Sequence, residues 1–221
     1  MIAQELINHM IPPLKLSDDA HKAMLWMEEL RSNELPVVDN EQFKGIITED
    51  MILEENVIDK LIADFQLKNS DCVVSVNSHF YEVLRVSGEA GAKLIGVVDE
   101  ADKYVGVITV QDTVSAFAQS AAVQMPGGIL VISLQSIDYS LAEIARLVEE
   151  NNAKILSSSI KQDDANHNMM RLTLKINKLD LTSIMATLER FGYRIIAHFQ
   201  ESKVSDDQRD RLDMLLKYLN I

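Results

Sequence analysis

The sequence is short of cysteine, of long apolar runs and of positive charge, and each shortage excludes something. One cysteine in 221 residues cannot close an intramolecular disulfide, which agrees with a reducing cytoplasmic compartment. Followed by V-V-S-V, Cys72 reads as a small core residue rather than a nucleophile. The longest near-continuous apolar run, Ile129 to Leu134, is far too short to span a bilayer, and the start M-I-A-Q-E-L-I-N-H-M has neither the basic region nor the apolar stretch of a signal peptide. Lys and Arg number 21 against 34 Asp and Glu, a formal net charge of −13. With no basic stripe to offset it, that balance disfavours nucleic acid as a partner. His9, His21, His79, His167 and His198 are scattered without H-x-x-x-H spacing or a cysteine partner, so no metal site is legible. G-x-S-x-G, P-loop and G-x-G-x-x-G motifs are missing. Glu54-Glu55 and Asp163-Asp164 fall in turn-like stretches and read as solubilising charge. The chain is therefore not expected to be an enzyme.

What is present is an ordinary globular composition, 47% apolar and 25% charged, with length for one large or two small domains. The charge is unevenly spread. Residues 1–125 carry 9 Lys/Arg against 21 Asp/Glu, whereas residues 126–221 carry 12 against 13. That step falls at M-P-G-G, Met125 to Gly128, and marks a boundary.

The acidic half repeats itself. L-P-V-V-D-N-E-Q-F-K-G-I-I-T-E-D, from Leu35, is matched by I-G-V-V-D-E-A-D-K-Y-V-G-V-I-T-V-Q-D, from Ile95, with one extra residue in the turn. Each reads as a β-hairpin leading into a helix. A helix precedes each: apolar Ala20, Ala23, Met24, Met27 and Leu30 behind Ser17 as N-cap, and Phe80, Val83, Leu84 and Val86 after a strand at Cys72 to Val76. Trp26 lies off the first stripe. One unit of about sixty residues has too little core to stand alone and would bury its sheet against its twin.

Two hairpins that each read P/G-V-V-D followed by G-x-x-T, with a carboxylate after the Thr, resemble the paired cystathionine-beta-synthase (CBS) domain module. The resemblance divides the chain into repeats at 1–62 and 63–124. It implies a regulatory module that binds an adenosine-containing ligand (AMP, ADP, Mg-ATP, S-adenosylmethionine or NAD) between the repeats and that pairs as a homodimer. It also implies that Thr109 and Asp112 contact ribose hydroxyls and that apolar strand residues (Val74, Val76 and Val97) enclose the adenine. The chemistry is sound on its own terms, since a carboxylate accepts from both hydroxyls of a diol. Thr-x-x-Asp is equally a helix capping box, which stabilises a helix and need bind nothing; the two roles are compatible. In the first copy Asp50 stands two residues after Thr48, and Met51 takes the place of Asp112. A shift of one residue turns a helical side chain by about 100°, so Thr48 and Asp50 form a second site only in altered geometry. Gly96 replaces Pro36. Charge favours AMP, adenosine or a cationic adenosyl compound over a free triphosphate unless Mg²⁺ or local cations intervene; Lys93 and Lys103 are nearest in sequence.

The second half changes pattern. I-L-V-I-S-L is a buried strand, and Ser140 with Glu143 forms a capping box before Leu141, Ile144, Ala145 and Val148. A strand follows at Ala153 to Ile160, then a polar turn, then Met170, Leu172, Leu174 and Ile176 alternating with Arg171, Thr173 and Lys175. Asp180 is expected to cap a helix that Gly192 stops, before a last strand from Tyr193 to Phe199. The fold class is thus α/β (α+β), and β-α-β-β-α-β over 127–200 is a ferredoxin-like order. Its size and pattern resemble an ACT domain, a regulatory module that binds amino acids, although Tyr139-Ser140 stands where such sites use Pro-Gly. Residues 204–221 read as an amphipathic helix with Leu212, Leu215, Leu216 and Leu219 on one stripe. The CBS–ACT combination resembles acetoin-utilisation-type proteins and implies a cytoplasmic ligand sensor. A dimerisation scaffold with decayed pockets is the alternative that Asp50-Met51 and Tyr139-Ser140 favour.

Overall fold

The computed structural model describes residues 1–55, 59–119, 121–163 and 166–200. The chain divides into two units, Met1–Ala118 and Gln119–Ile221, so the boundary lies a few residues before the M-P-G-G expected to mark it. The expected helix at 204–221 lies outside the described residues.

The first unit holds α1 (Ala20–Leu30), β1 (Glu34–Asp39), β2 (Gln42–Thr48), α2 (Glu49–Glu55), β3 (Val73–Ser75), α3 (Phe80–Ala90), β4 (Leu94–Val98), β5 (Tyr104–Thr109) and α4 (Val110–Ala118). Its two hairpins share one register: Glu34 faces Thr48 as Leu94 faces Thr109, Val37 faces Gly45 as Val97 faces Gly106, and each ladder shifts at the following residue. The first hairpin turns on Asn40 and Glu41, both at positive φ, which is the type I′ turn a two-residue loop requires. The second spends its extra residue on a turn in which Asp99 accepts from the Ala101 and Lys103 amides at 2.8 and 2.9 Å. The start of α1 differs from the sequence expectation. Asp19, not Ser17, is the N-cap and accepts from the Lys22 amide at 2.8 Å, while Asp18 accepts from the Lys15 amide.

The repeats interlock. The turn Ala3–Leu6, at the start of the first repeat, buries Ala3 and Leu6 with Val74, Phe80, Val83, Ile95 and Ile108 of the second. The turn Ile62–Asp64, where the first repeat meets the second, buries Ile62 with Leu14, Ala23, Leu35, Ile47 and Ile52 of the first. The lead-in chain then crosses the partner hairpin as a short antiparallel bridge. Asn8 N–H donates to the Val107 carbonyl at 2.8 Å, and Lys68 and Ile46 exchange bonds of 2.8 and 3.0 Å. The crossings explain the Gly of G-x-x-T: a Cβ on Gly106 would stand 2.5 Å from Ile7 Cγ2, and one on Gly45 would stand 2.7 Å from the Lys68 carbonyl oxygen. Neither repeat owns a complete core, so a cut between 62 and 63 separates residues that pack as one. Cys72 is 2% exposed, and burial pushes its thiol pKa up.

The second unit carries α5 (Ala121–Gln124), β6 (Gly128–Gln135), α6 (Leu141–Glu150), β7 (Ile155–Gln162), β8 (Met169–Ile176), α7 (Thr182–Arg190) and β9 (Arg194–Phe199). Its sheet runs β7-β8-β6-β9 with every pair antiparallel. Alternation sends Leu130, Ile132, Leu134, Leu172, Leu174 and Ile176 to the face covered by Ile144, Leu147 and Val148 of α6 and by Ile184 and Leu188 of α7. Ser140 caps α6 as expected, accepting from the Glu143 amide at 3.3 Å. Asp180 is not the N-cap of α7; Leu181 is, and Asp180 accepts from the Thr182 amide at 3.0 Å. Gly192 ends that helix at φ 87°. The described chain contains no helix long and apolar enough to cross a membrane.

Candidate functional site

The corner from β5 into α4 places Thr109 and Asp112 together at the edge of a cleft. Thr109 Oγ1 donates to Asp112 Oδ2 at 2.6 Å, and the Asp112 amide donates to Thr109 Oγ1 at 2.9 Å. The Thr109 amide reaches the same carboxylate oxygen at 3.4 Å. This reciprocal pair is a capping box made with Asp. A third donor comes from far away in sequence. Asn8 Nδ2, carried across Gly106 by the lead-in strand, donates to Asp112 Oδ2 at 3.0 Å. All three donors converge on Oδ2, leaving Oδ1 without a donor among the described residues, so the carboxylate is held in place yet retains acceptor capacity. Behind it Thr113, 1% exposed, donates to the Thr109 carbonyl at 3.1 Å.

The cleft, about 780 Å³, draws on both repeats of the first unit. The lead-in segment supplies Asn8, Met10 and Ile11; the α1–β1 junction supplies Arg31 and Glu34; the residue before β4 is Lys93, and α4 supplies Val110 and Val114. Its volume lies in the range that encloses small organic ligands. Glu34 sits half-buried there, and burial raises its carboxyl pKa against the pull of Lys93. Lys103, the other cation near the site in sequence, is spent elsewhere, on Glu41 in the first hairpin turn at 2.6 Å.

Not every expected residue reaches this cleft. Val74 and Val97 are 4% and 0% exposed in the core of the second repeat, and Val76 packs against that core. An apolar ring in the cleft would meet Met10, Ile11, Leu30, Val110 and Val114 instead. In the first repeat, Thr48 Oγ1 accepts from the Met51 amide at 3.4 Å, which repeats the Thr half of the cap, while Asp50 points to solvent. Ile46 and Val107 share a register position, so Lys68 is the counterpart of Asn8. The first repeat therefore has Lys68 and Met51 where the second has Asn8 and Asp112. Asn8, Arg31 and Glu34 carry no sequence signal, because a crossing segment brings in Asn8 and the α1–β1 junction of the other repeat brings in Arg31 and Glu34, all from outside the motif.

In the second unit, a cleft of about 650 Å³ is lined by Asp138, Tyr139, Ser140, Glu143, Tyr193 and Arg194, among others. Tyr193 donates its hydroxyl to Glu143 at 3.1 Å. Burial, then that bond, pushes the phenol pKa up to about 12. Among the described residues no group of three or more His, Cys, Asp or Glu could hold a metal ion.

No protein-family model matches the chain. Among solved structures, a CBS domain pair/ACT domain protein from Thermotoga maritima superposes at a TM-score of 0.50 and 19% identity, covering 55% of this chain and 99% of that one. A protein from Methanocaldococcus jannaschii superposes at 0.50 and 18%, covering 57% of this chain and 62% of that one. At these identities the likeness is one of fold, and the fold it supports is that of a CBS-domain pair.

Proposed function

We propose that this chain is a cytoplasmic regulatory sensor that binds one adenosine-containing nucleotide in the cleft at Thr109 and Asp112. The observation that carries the reading is the convergence of Asn8 and Thr109 on one oxygen of Asp112, at the edge of a cleft shared by both repeats. That geometry fixes a carboxylate where a ribose diol can donate to it. The capping role does not compete, because it occupies Oδ2 alone. The β-α-β-β-α-β order and the β7-β8-β6-β9 sheet support a ferredoxin-like, ACT-type second unit as the element to which occupancy is coupled. An amino-acid ligand there would meet Asp138 and Glu143. We further propose a homodimer, for which sedimentation should give twice the 24.8 kDa chain mass. Neither unit is assigned a catalytic role.

A scaffold with decayed pockets is the second reading, and Met51 with exposed Asp50 favours it for the first repeat alone.

The test is thermal unfolding of the full chain with AMP, ADP, Mg-ATP, S-adenosylmethionine and NAD. A ligand at a hundredfold its Kd adds about 2.7 kcal/mol, which raises the midpoint several degrees at roughly 2–4 °C per kcal/mol. Asp112→Asn keeps the side-chain shape and an oxygen for the cap, and should abolish most of the shift while moving the unliganded midpoint little. A flat panel overturns the sensor in favour of the scaffold.

A further inference from the structure

The sheet of the second unit has two unlike faces. Leu130, Ile132 and Leu134 of β6 point to α6 and α7, while Ile129, Val131 and Ser133, which alternate with them, point the other way. The register sets the neighbours on that second face. Ile129 lies between Lys175 and Phe199, Val131 between Thr173 and Ala197, and Ser133 between Arg171 and Arg194; β7 adds Ser157, Ser159 and Lys161 beyond β8. None of these residues belongs to the core that α6 and α7 cover. Hydroxyls and cations make the β7–β8 side an ordinary solvated surface. The β6–β9 side differs, because Ile129, Val131, Ala197 and Phe199 stand together there and Phe199 is 60% exposed. Adjacent apolar residues on the open face of a sheet mark a surface that another layer covers. Charge narrows the choice of layer. No Asp or Glu stands among the residues named on this face, and Asp163, just past the end of β7, pairs with Arg171 at 3.0 Å. A second copy seated by the same face, as a twofold dimer requires, would bring Lys161, Arg171, Lys175 and Arg194 of both copies together, which opposes association.

We propose that residues 204–221 of the same chain fold back as a helix over the β6–β9 side of this face and lay Leu212, Leu215, Leu216 and Leu219 on Ile129, Val131, Ala197 and Phe199. The position of the segment supports this. β9 ends at Phe199, on the apolar side of the face, and Gln200 to Lys203 give a connection of ordinary length. The length fits as well: 18 helical residues extend about 27 Å, and an eight-residue strand such as β6 or β8 extends about 27 Å. The segment carries four Asp against Arg209, Arg211 and Lys217, so it avoids the like-charge penalty that a second copy meets. A helix running back along β9 also turns the negative end of its dipole toward Arg171 and Arg194. A face closed in this way is unavailable to a second copy, and the homodimer proposed above then pairs through a different surface.

The experiment is hydroxyl-radical labelling of the full chain, read residue by residue by mass spectrometry. Leu215→Asp/Leu216→Asp should raise the labelling of Ile129, Val131 and Phe199 severalfold. Ile137 in the β6–α6 turn and Phe191 after α7, exposed at 89% and 46%, should label as before. Val131→Lys, a change on the face itself, should in turn raise the labelling of the four leucines. Buried Leu130 and Ile132 report that the unit stays folded in each variant, and the two variants reach the same contact from opposite sides. Equal labelling of the face with and without Leu215→Asp/Leu216→Asp overturns the proposal; where that protection falls on dilution, a second copy covers the face instead. Protection that is lost both on substitution and on dilution of the wild-type chain also overturns it, since mass action then assigns the cover to a segment exchanged between chains.

Discussion

Tyr104 shows what single residues contribute beyond the motif. Its ring lies parallel to that of Phe43 at 6.3 Å, an offset stack between counterpart positions of the two hairpins. The hydroxyl is buried and has no hydrogen-bond partner among the described residues, and burial alone drives the phenol far above its ordinary pKa. An unpartnered buried hydroxyl costs about 1–3 kcal/mol. Tyr104→Phe, which keeps the stack and deletes the oxygen, should therefore raise the melting midpoint by a few degrees at roughly 2–4 °C per kcal/mol. A lower midpoint would mean that the oxygen has a partner. Residue-level legibility was uneven for a physical reason. Thr109 and Asp112 are three apart at a strand-to-helix corner, so local spacing alone brings them together. Asn8 is 104 residues from Asp112, and no periodicity reports such a contact. Val74 and Val97 looked like ligand walls by resemblance, yet their alternation sends them inward.

At the scale of elements, the repeat was readable because both hairpins obey the same local rules of turn length and β-branched strand. What the sequence did not show is why each hairpin keeps a glycine two residues before its buried apolar pair ends. The cause is non-local, since the lead-in chain of the other repeat passes over it. The two glycines are not equivalent. Gly45 is at φ 131°, and its added Cβ would meet backbone at 2.7 Å; Gly106 would meet the Ile7 side chain at 2.5 Å from an ordinary φ. Side chains yield more cheaply than backbone. Gly45→Ala should cost on the order of 3 kcal/mol, from strain plus a backbone shift, and Gly106→Ala about 1–2 kcal/mol, as overpacking does. Denaturant unfolding of both variants checks the ranking, and equal losses would contradict the crossing geometry. The caps teach the same lesson. Ser17, Asp18 and Asp19 all suit an N-cap; the helix that starts after Asp19 buries Ala20 and Ala23, and Asp18 is taken by the Lys15 amide.

For the whole molecule, the charge step suggests a boundary at Met125 to Gly128, and the chain divides into two units between Ala118 and Gln119. The clusters around Leu14 and around Ala3 lie within Met1–Ala118, and the cluster around Leu130 lies within the second unit. Two units with separate clusters are expected to unfold as two cooperative blocks. Calorimetry of the full chain should accordingly resolve two transitions. A nucleotide that binds only the folded first unit must raise the first of them by mass action. Whether it moves the second is a different quantity: any shift there equals the coupling free energy between the units, which for regulated proteins is about 1–3 kcal/mol and is reciprocal. A sensor requires that shift, since a signal confined to the binding unit has no output. With AMP added at saturation, both transitions should rise, the first by several degrees and the second by about 2 °C or more at roughly 2–4 °C per kcal/mol. If the first rises and the second stays in place, the cleft binds its ligand without informing the rest of the chain. The second unit would then be a passenger in sensing, and its role would have to be assigned to assembly.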